Sequence, residues 1–122
     1  MDYYSFFNKL QKADSRIKFA KVDKKVLYDK LKIPEFYQTF NPINVEFECN
    51  FGIVQLEPLD KLKILNEKYQ YVAADCVFAT CNGDAIYTRD GQIYTRVHGS
   101  KHIVEEKLAE SVEKLFEQVY DN

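Results

Sequence analysis

Ala85-Ile86-Tyr87-Thr88-Arg89-Asp90-Gly91-Gln92-Ile93-Tyr94-Thr95-Arg96-Val97 carries the tetrapeptide Ile-Tyr-Thr-Arg twice, once on each side of Asp90-Gly91. Asp-Gly between two runs of alternating β-favouring residues is the signature of a hairpin, because a two-residue type I′ loop needs positive φ at both central positions. Such a loop predicts the pairs Arg89 with Gln92, Thr88 with Ile93, Tyr87 with Tyr94 and Ile86 with Thr95. Ile86, Thr88, Ile93, Thr95 and Val97 then share one face of the ribbon, and Tyr87, Arg89, Tyr94 and Arg96 share the other. A three-residue loop with a bulge slips the register by one and mixes the faces; the clean sorting of isoleucine from arginine favours two residues.

Upstream of the hairpin, Tyr71 to Cys81 is an apolar run with few charges, broken by Asn82-Gly83, and predicts a central strand. Ile43, Val45, Phe47 and Cys49 alternate with Asn44, Glu46, Glu48 and Asn50, which predicts a strand with one wet face. Phe51 to Leu56 continues extended after a turn at Asn50 to Gly52, and Glu57-Pro58-Leu59-Asp60 leads into a helix bearing Leu62, Leu65 and Tyr69. The first third reads as helical. Asp2 caps a helix through about Ala13 with Tyr3, Phe6, Phe7 and Leu10 on one side. Asp23 caps a short helix with Val26, Leu27 and Leu31, while Arg16 to Val22 stays ambiguous. Pro34 opens a helical turn with Phe36, Tyr37 and Phe40 that stops at Asn41-Pro42. Downstream, Val104, Leu108, Val112, Leu115, Phe116 and Val119 follow a helical period, so a long helix over 103–119 is expected.

The chain has 122 residues, 46% hydrophobic and 30% charged, with nine tyrosines, nine phenylalanines and only seven glycines and prolines together. That composition excludes collagen-like, low-complexity and broadly disordered classes and predicts a single domain over 1–122, large enough to bury roughly two-thirds of its extended surface. Seventeen basic against nineteen acidic residues offer no general attraction for phosphate backbones, so no nucleic-acid partner is expected. The start, Met1-Asp2-Tyr3-Tyr4-Ser5-Phe6-Phe7, lacks the pattern of a secretory signal, and no run of about 18 apolar residues occurs; a cytoplasmic protein without a membrane partner is the expectation.

Three cysteines, Cys49, Cys76 and Cys81, are an odd number without framework spacing and read as reduced, buried thiols. Cys76-x4-Cys81 followed by His98-x3-His102 superficially resembles a zinc site. On one uninterrupted strand, however, residues 76 and 81 have opposite parity and their sulfurs leave opposite faces, and the spacing is wrong for the motif; no metal and no cofactor is expected. Asp84, Asp90, Glu105, Glu106 and Glu110 read as turn-formers and solvated faces rather than acid–base groups. No nucleophile elbow or glycine-rich phosphate loop is present, so no catalytic residues are assigned. The Tyr87, Arg89, Tyr94, Arg96 face stands out, because tyrosine and arginine supply area and bidentate pairing at protein interfaces. The competing reading is that a covering element buries the rings or that they form a cross-strand pair. The wet strand face with Glu46 and Glu48 is a second candidate, against an ordinary solvated face.

Several segments together resemble the SUKH superfamily of fungal glucan-synthesis regulators and bacterial immunity proteins. They are the proline-led Ile33-Pro34-Glu35-Phe36-Tyr37-Gln38-Thr39-Phe40-Asn41-Pro42, the strand Val77-Phe78-Ala79-Thr80-Cys81-Asn82-Gly83-Asp84, the hairpin about Asp90-Gly91, His98-Gly99, and Leu108-Ala109-Glu110-Ser111-Val112-Glu113-Lys114-Leu115-Phe116. The resemblance covers residues 33 to 119; Gly83 stands alone where members often carry two or three glycines. It implies an α+β fold, a curved, mainly antiparallel sheet covered on one side by helices, in agreement with the element reading. It also implies a non-enzymatic protein-binding module, an immunity protein that neutralises a cognate secreted toxin, with a regulatory scaffold as the alternative and a small hydrolase using Asp84 and His98 behind both.

Overall fold

The computed structural model describes residues 2–22, 31–97 and 104–119. Asp2 is extended (φ −100°, ψ 121°) and its Oδ1 accepts the Tyr4 N–H at 2.9 Å, which starts α1 at Tyr3; the helix runs to Ala13. The Asp23 helix lies outside the described residues. Pro34 precedes a 3-10 turn over Glu35–Gln38 rather than a longer helix, and Asn41–Pro42 (β2) pairs with Phe19–Ala20 (β1), the stretch the sequence left ambiguous.

The main sheet has the order β3 (Val45–Cys49), β4 (Gly52–Leu56), β5 (Cys76–Cys81), β6 (Asp84–Arg89), β7 (Gln92–Val97), β8 (Val104–Ala109), all neighbours antiparallel and in chain order. Between β4 and β5 lies α2, Leu62–Lys68, introduced by a 3-10 turn at Leu59–Lys61. The β6–β7 hairpin has the two-residue register that Asp-Gly predicts, with Asp90 and Gly91 at φ 54° and 78°. Asn82 and Gly83, at φ 53° and 84°, form a second hairpin of the same kind between β5 and β6.

Two expectations are corrected. The long helix over 103–119 is absent: Val104–Ala109 is β8, and only Val112–Phe116 is helical (α3), capped by Ser111, whose Oγ accepts the Lys114 N–H at 3.1 Å. The helical spacing of Val104 and Leu108 loses to the ladder on β7, which satisfies the backbone of an otherwise open edge. The central strand begins at Cys76 rather than Tyr71, and its register shifts between Val77 and Ala79. That bulge adds one residue and reverses the parity argument. Cys76 opposite Thr88 and Cys81 opposite Asp84 leave the same face of the sheet.

That common face, with Val45, Phe47, Val54, Leu56 and Ile86, is the core. Against it α1, the Glu35–Gln38 turn and α3 lay Phe6, Phe7, Phe36 and Phe116. Phe6 stacks on Phe116 at 4.6 Å between centroids, and Phe47 meets both edge-on. Burying each such ring stabilises the fold by about 1.5–3 kcal/mol. The opposite face is divided. Over β5 and β6, Val77, Ala85 and Tyr87 are buried together with Tyr69 and Val72, whereas over β3 and β4, Glu46, Glu48, Ile53 and Gln55 are exposed.

Candidate functional site

Register brings Tyr87 and Tyr94 directly opposite each other, rings 6.0 Å apart and near parallel, with the Arg89 guanidinium 4.4 Å over the Tyr94 ring. Glu105 on β8 completes the group. Its carboxylate takes both guanidinium nitrogens of Arg89 and the Tyr87 hydroxyl, the last at 2.5 Å. These bonds, Arg89 first and Tyr87 second, hold the Glu105 carboxyl below its ordinary range, while burial and that carboxylate push the Tyr87 phenol up. The segment after α2 lies along the same face: Tyr71 sits under Arg96 at 5.6 Å, the Ala73 carbonyl accepts from Arg89 at 3.0 Å, and Asp75 Oδ2 accepts the Asp90 N–H at 2.9 Å. Tyr87 is wholly buried. Arg89, Tyr94 and Arg96 stay half-buried, and Tyr71, at 65% exposure, is the outermost ring of the cluster.

Glu46 and Glu48 lie together on β3, three strands from β6 and four from β7 in sheet order, and on the open half of the face. Ile53, 54% exposed, and Gln55 are their cross-strand partners on β4. The salt bridges among the described residues, Arg16–Asp14, Arg89–Glu105, Lys107–Glu110 and Lys114–Glu117, leave both glutamates out. Beside them a groove of about 570 Å³ opens between α1 and β3, floored by Phe6, Leu10, Phe47, Phe116 and Val119. The structure therefore separates the six residues picked from sequence into two places, one at each side of the sheet.

The other chemistry-bearing residues take structural positions. Burial pushes the Cys49 and Cys76 thiols up to about 12 and raises that of Cys81, so all three stay protonated and unreactive at neutral pH. Asp90 is the first residue of its hairpin loop, and Glu110 holds Lys107 and the Gln92 amide. His98 and His102 lie outside the described residues, and among those described no group of three or more histidine, cysteine or acidic side chains is placed to hold a metal ion. No described helix is long and apolar enough to cross a membrane.

Sequence reasoning missed three participants. Glu105 looked like one solvated charge among several, and only the strand at 104–109 aims it at Tyr87. Tyr71 was assigned to the central strand, and Asn66 carried no signal. Asn66 lies on α2 and fills the gap where β4 has ended: its Oδ1 accepts the Val77 N–H at 2.7 Å and its Nδ2 donates to the Val77 carbonyl at 2.9 Å, as a neighbouring strand residue would. Comparison of the chain with protein-family models, with curated proteins and with solved structures finds no match.

Proposed function

We propose that this protein is a non-enzymatic, cytoplasmic binding module of the immunity type, which neutralises a cognate secreted toxin by covering the toxin's working surface. The resemblance of residues 33–119 to the SUKH superfamily supports this reading. The antiparallel six-stranded sheet accords with the α+β fold that the resemblance implies, while the final helix is shorter than expected and the end of α2 carries Tyr69 over the non-core face. The observation that carries it is the juxtaposition at the β3 side. Two exposed carboxylates, Glu46 and Glu48, stand outside the ion pairs of the described residues, next to an open apolar groove. Such a surface suits recognition, with rings and aliphatic groups supplying area and carboxylates supplying steering and register. The half-buried Arg89, Tyr94 and Arg96 with exposed Tyr71 form the secondary candidate surface, in which Tyr87 serves as the buried support.

The test is co-purification with the product of the open reading frame adjacent to this gene, together with protection of cells that express that product. Formation of a complex is expected, weakened about tenfold or more by the paired Glu46→Lys and Glu48→Lys substitutions, as for a central charged contact. No complex and no protection, or substrate turnover by the isolated protein, refutes the reading.

A further inference from the structure

The binding reading above leaves open how a partner is held, and the outer edge of β3 supplies a mode. β3 is the first strand of the sheet, so one side of it has no strand neighbour among the described residues. Cys49 and Gly52 close the β3–β4 hairpin, which makes Val45, Phe47 and Cys49 the positions that exchange backbone hydrogen bonds with β4. The N–H and C=O groups of Glu46 and Glu48 therefore point the other way, outward. Just before β3 the outer side is occupied: the Lys18 carbonyl accepts the Ile43 N–H at 2.9 Å, and the Arg16 carbonyl accepts from Asn44 Nδ2 at 2.9 Å. Past that point no described residue pairs with the outer edge over Val45–Cys49, about 16 Å at the usual rise of a strand.

We propose that a basic, extended segment of the partner protein adds to the sheet here as a further strand. Alternation then dictates its chemistry. Residues opposite Val45, Phe47 and Cys49 turn toward the core face and enter the groove beside Phe6, Leu10 and Val119, so they are apolar. Residues opposite Glu46 and Glu48 share the open face with those carboxylates, so they are lysine or arginine. The groove rim agrees: with Asp14 and Glu117 set aside as the ion-pair partners of Arg16 and Lys114, its charged residues are Asp2, Glu46 and Glu48 against one lysine, Lys9. The same charges disfavour a second copy of this chain. Two-fold antiparallel pairing of β3 about Phe47 sets Glu46 of one copy opposite Glu48 of the other, and like charges in cross-strand positions repel. The occupant is therefore a cationic strand with alternating apolar residues.

A synthetic peptide of alternating valine and lysine, acetylated and amidated at its ends, is the probe. Its controls are the same residues in two blocks and the alternating peptide with N-methyl groups on every second amide. Fluorescence anisotropy at about 0.15 M salt, where the Debye length is about 8 Å, limits general attraction. The alternating peptide is expected to bind about tenfold or more tightly than either control, the scale of one to two backbone hydrogen bonds. Glu46→Gln removes charge and keeps the outward N–H, whereas Glu46→Pro removes both, at a strand edge where proline is tolerated. Glu46→Pro is expected to weaken binding about tenfold more than Glu46→Gln does, with circular dichroism and melting of both variants like wild type. Equal binding of block and alternating peptides, equal affinities of the two variants, or a β3-dependent dimer overturns strand addition. A complex with the cognate partner that survives Glu46→Pro overturns strand addition and leaves the binding function standing, whereas the absence of any complex overturns the function itself.

Discussion

Glu105→Ala is the substitution that tests the hairpin cluster, because one carboxylate there serves a buried phenol and a half-open guanidinium at once. The ion pair with Arg89 is reached by water and adds little. The Tyr87 hydroxyl is different: with the residue fully buried, removing its acceptor leaves a desolvated donor, a cost of about 1–3 kcal/mol. Glu105→Ala is expected to destabilise by about 2 kcal/mol, read as a lower urea midpoint at constant slope or a melting temperature lower by about 8 °C. Tyr87→Phe alone costs about 1 kcal/mol, but in the Glu105→Ala background it is neutral or stabilising, because it removes the orphaned hydroxyl. The pH dependence has a definite sign. Because the folded Glu105 carboxyl titrates below its unfolded value, its contribution is complete above the ordinary carboxylate range and is lost as pH falls through the folded value. The stability gap between wild type and Glu105→Gln is thus full at neutral pH and closes below about pH 4. Additive costs for Tyr87→Phe in the two backgrounds, or a gap that widens in acid, refute the reasoning.

Three further outcomes are expected. Gly52 has φ +137°, and an added Cβ would lie 2.9 Å from Cys81 Sγ, so Gly52→Ala destabilises by about 2–3 kcal/mol by urea unfolding, and Cys81→Ala in the same chain recovers only the part due to the clash. Asn66→Ala costs about 2 kcal/mol and speeds exchange of the Val77 amide selectively, since that N–H loses its acceptor. Cys49 and Cys76, with thiols pushed up to about 12, react with a disulfide reagent at pH 8 only at the rate of global unfolding, which a urea series of labelling rates measures.

How much of this was legible in the sequence varies by element. The β6–β7 hairpin was fully so, register included, because Asp90-Gly91 fixes the loop and isoleucine and arginine sort to opposite faces. β3, its wet glutamates and α1 followed from period and capping alone. β8 was not, because its first residues are ambiguous between helix and strand and the deciding contribution, the free edge of β7, lies elsewhere in the chain. The parity of Cys76 and Cys81 failed for a similar reason: a bulge between Val77 and Ala79 is a property of the pairing with β6. Of the candidate site, Glu46 and Glu48 were visible as residues, but the groove beside them is made by Phe6 and Phe116, side chains 110 positions apart, and no local pattern announces it.

Because each strand of the main sheet follows its neighbour in sequence, a chain emerging from the ribosome can build this sheet one ribbon at a time from β3 onward. The helix α1 has no such luck. Phe6 and Phe7 rest on Phe116, so at typical synthesis rates they wait roughly 5–20 s for the ring that receives them. During that interval two neighbouring phenylalanines remain uncovered by it, and this is the moment in the molecule's life when a chaperone has most to hold.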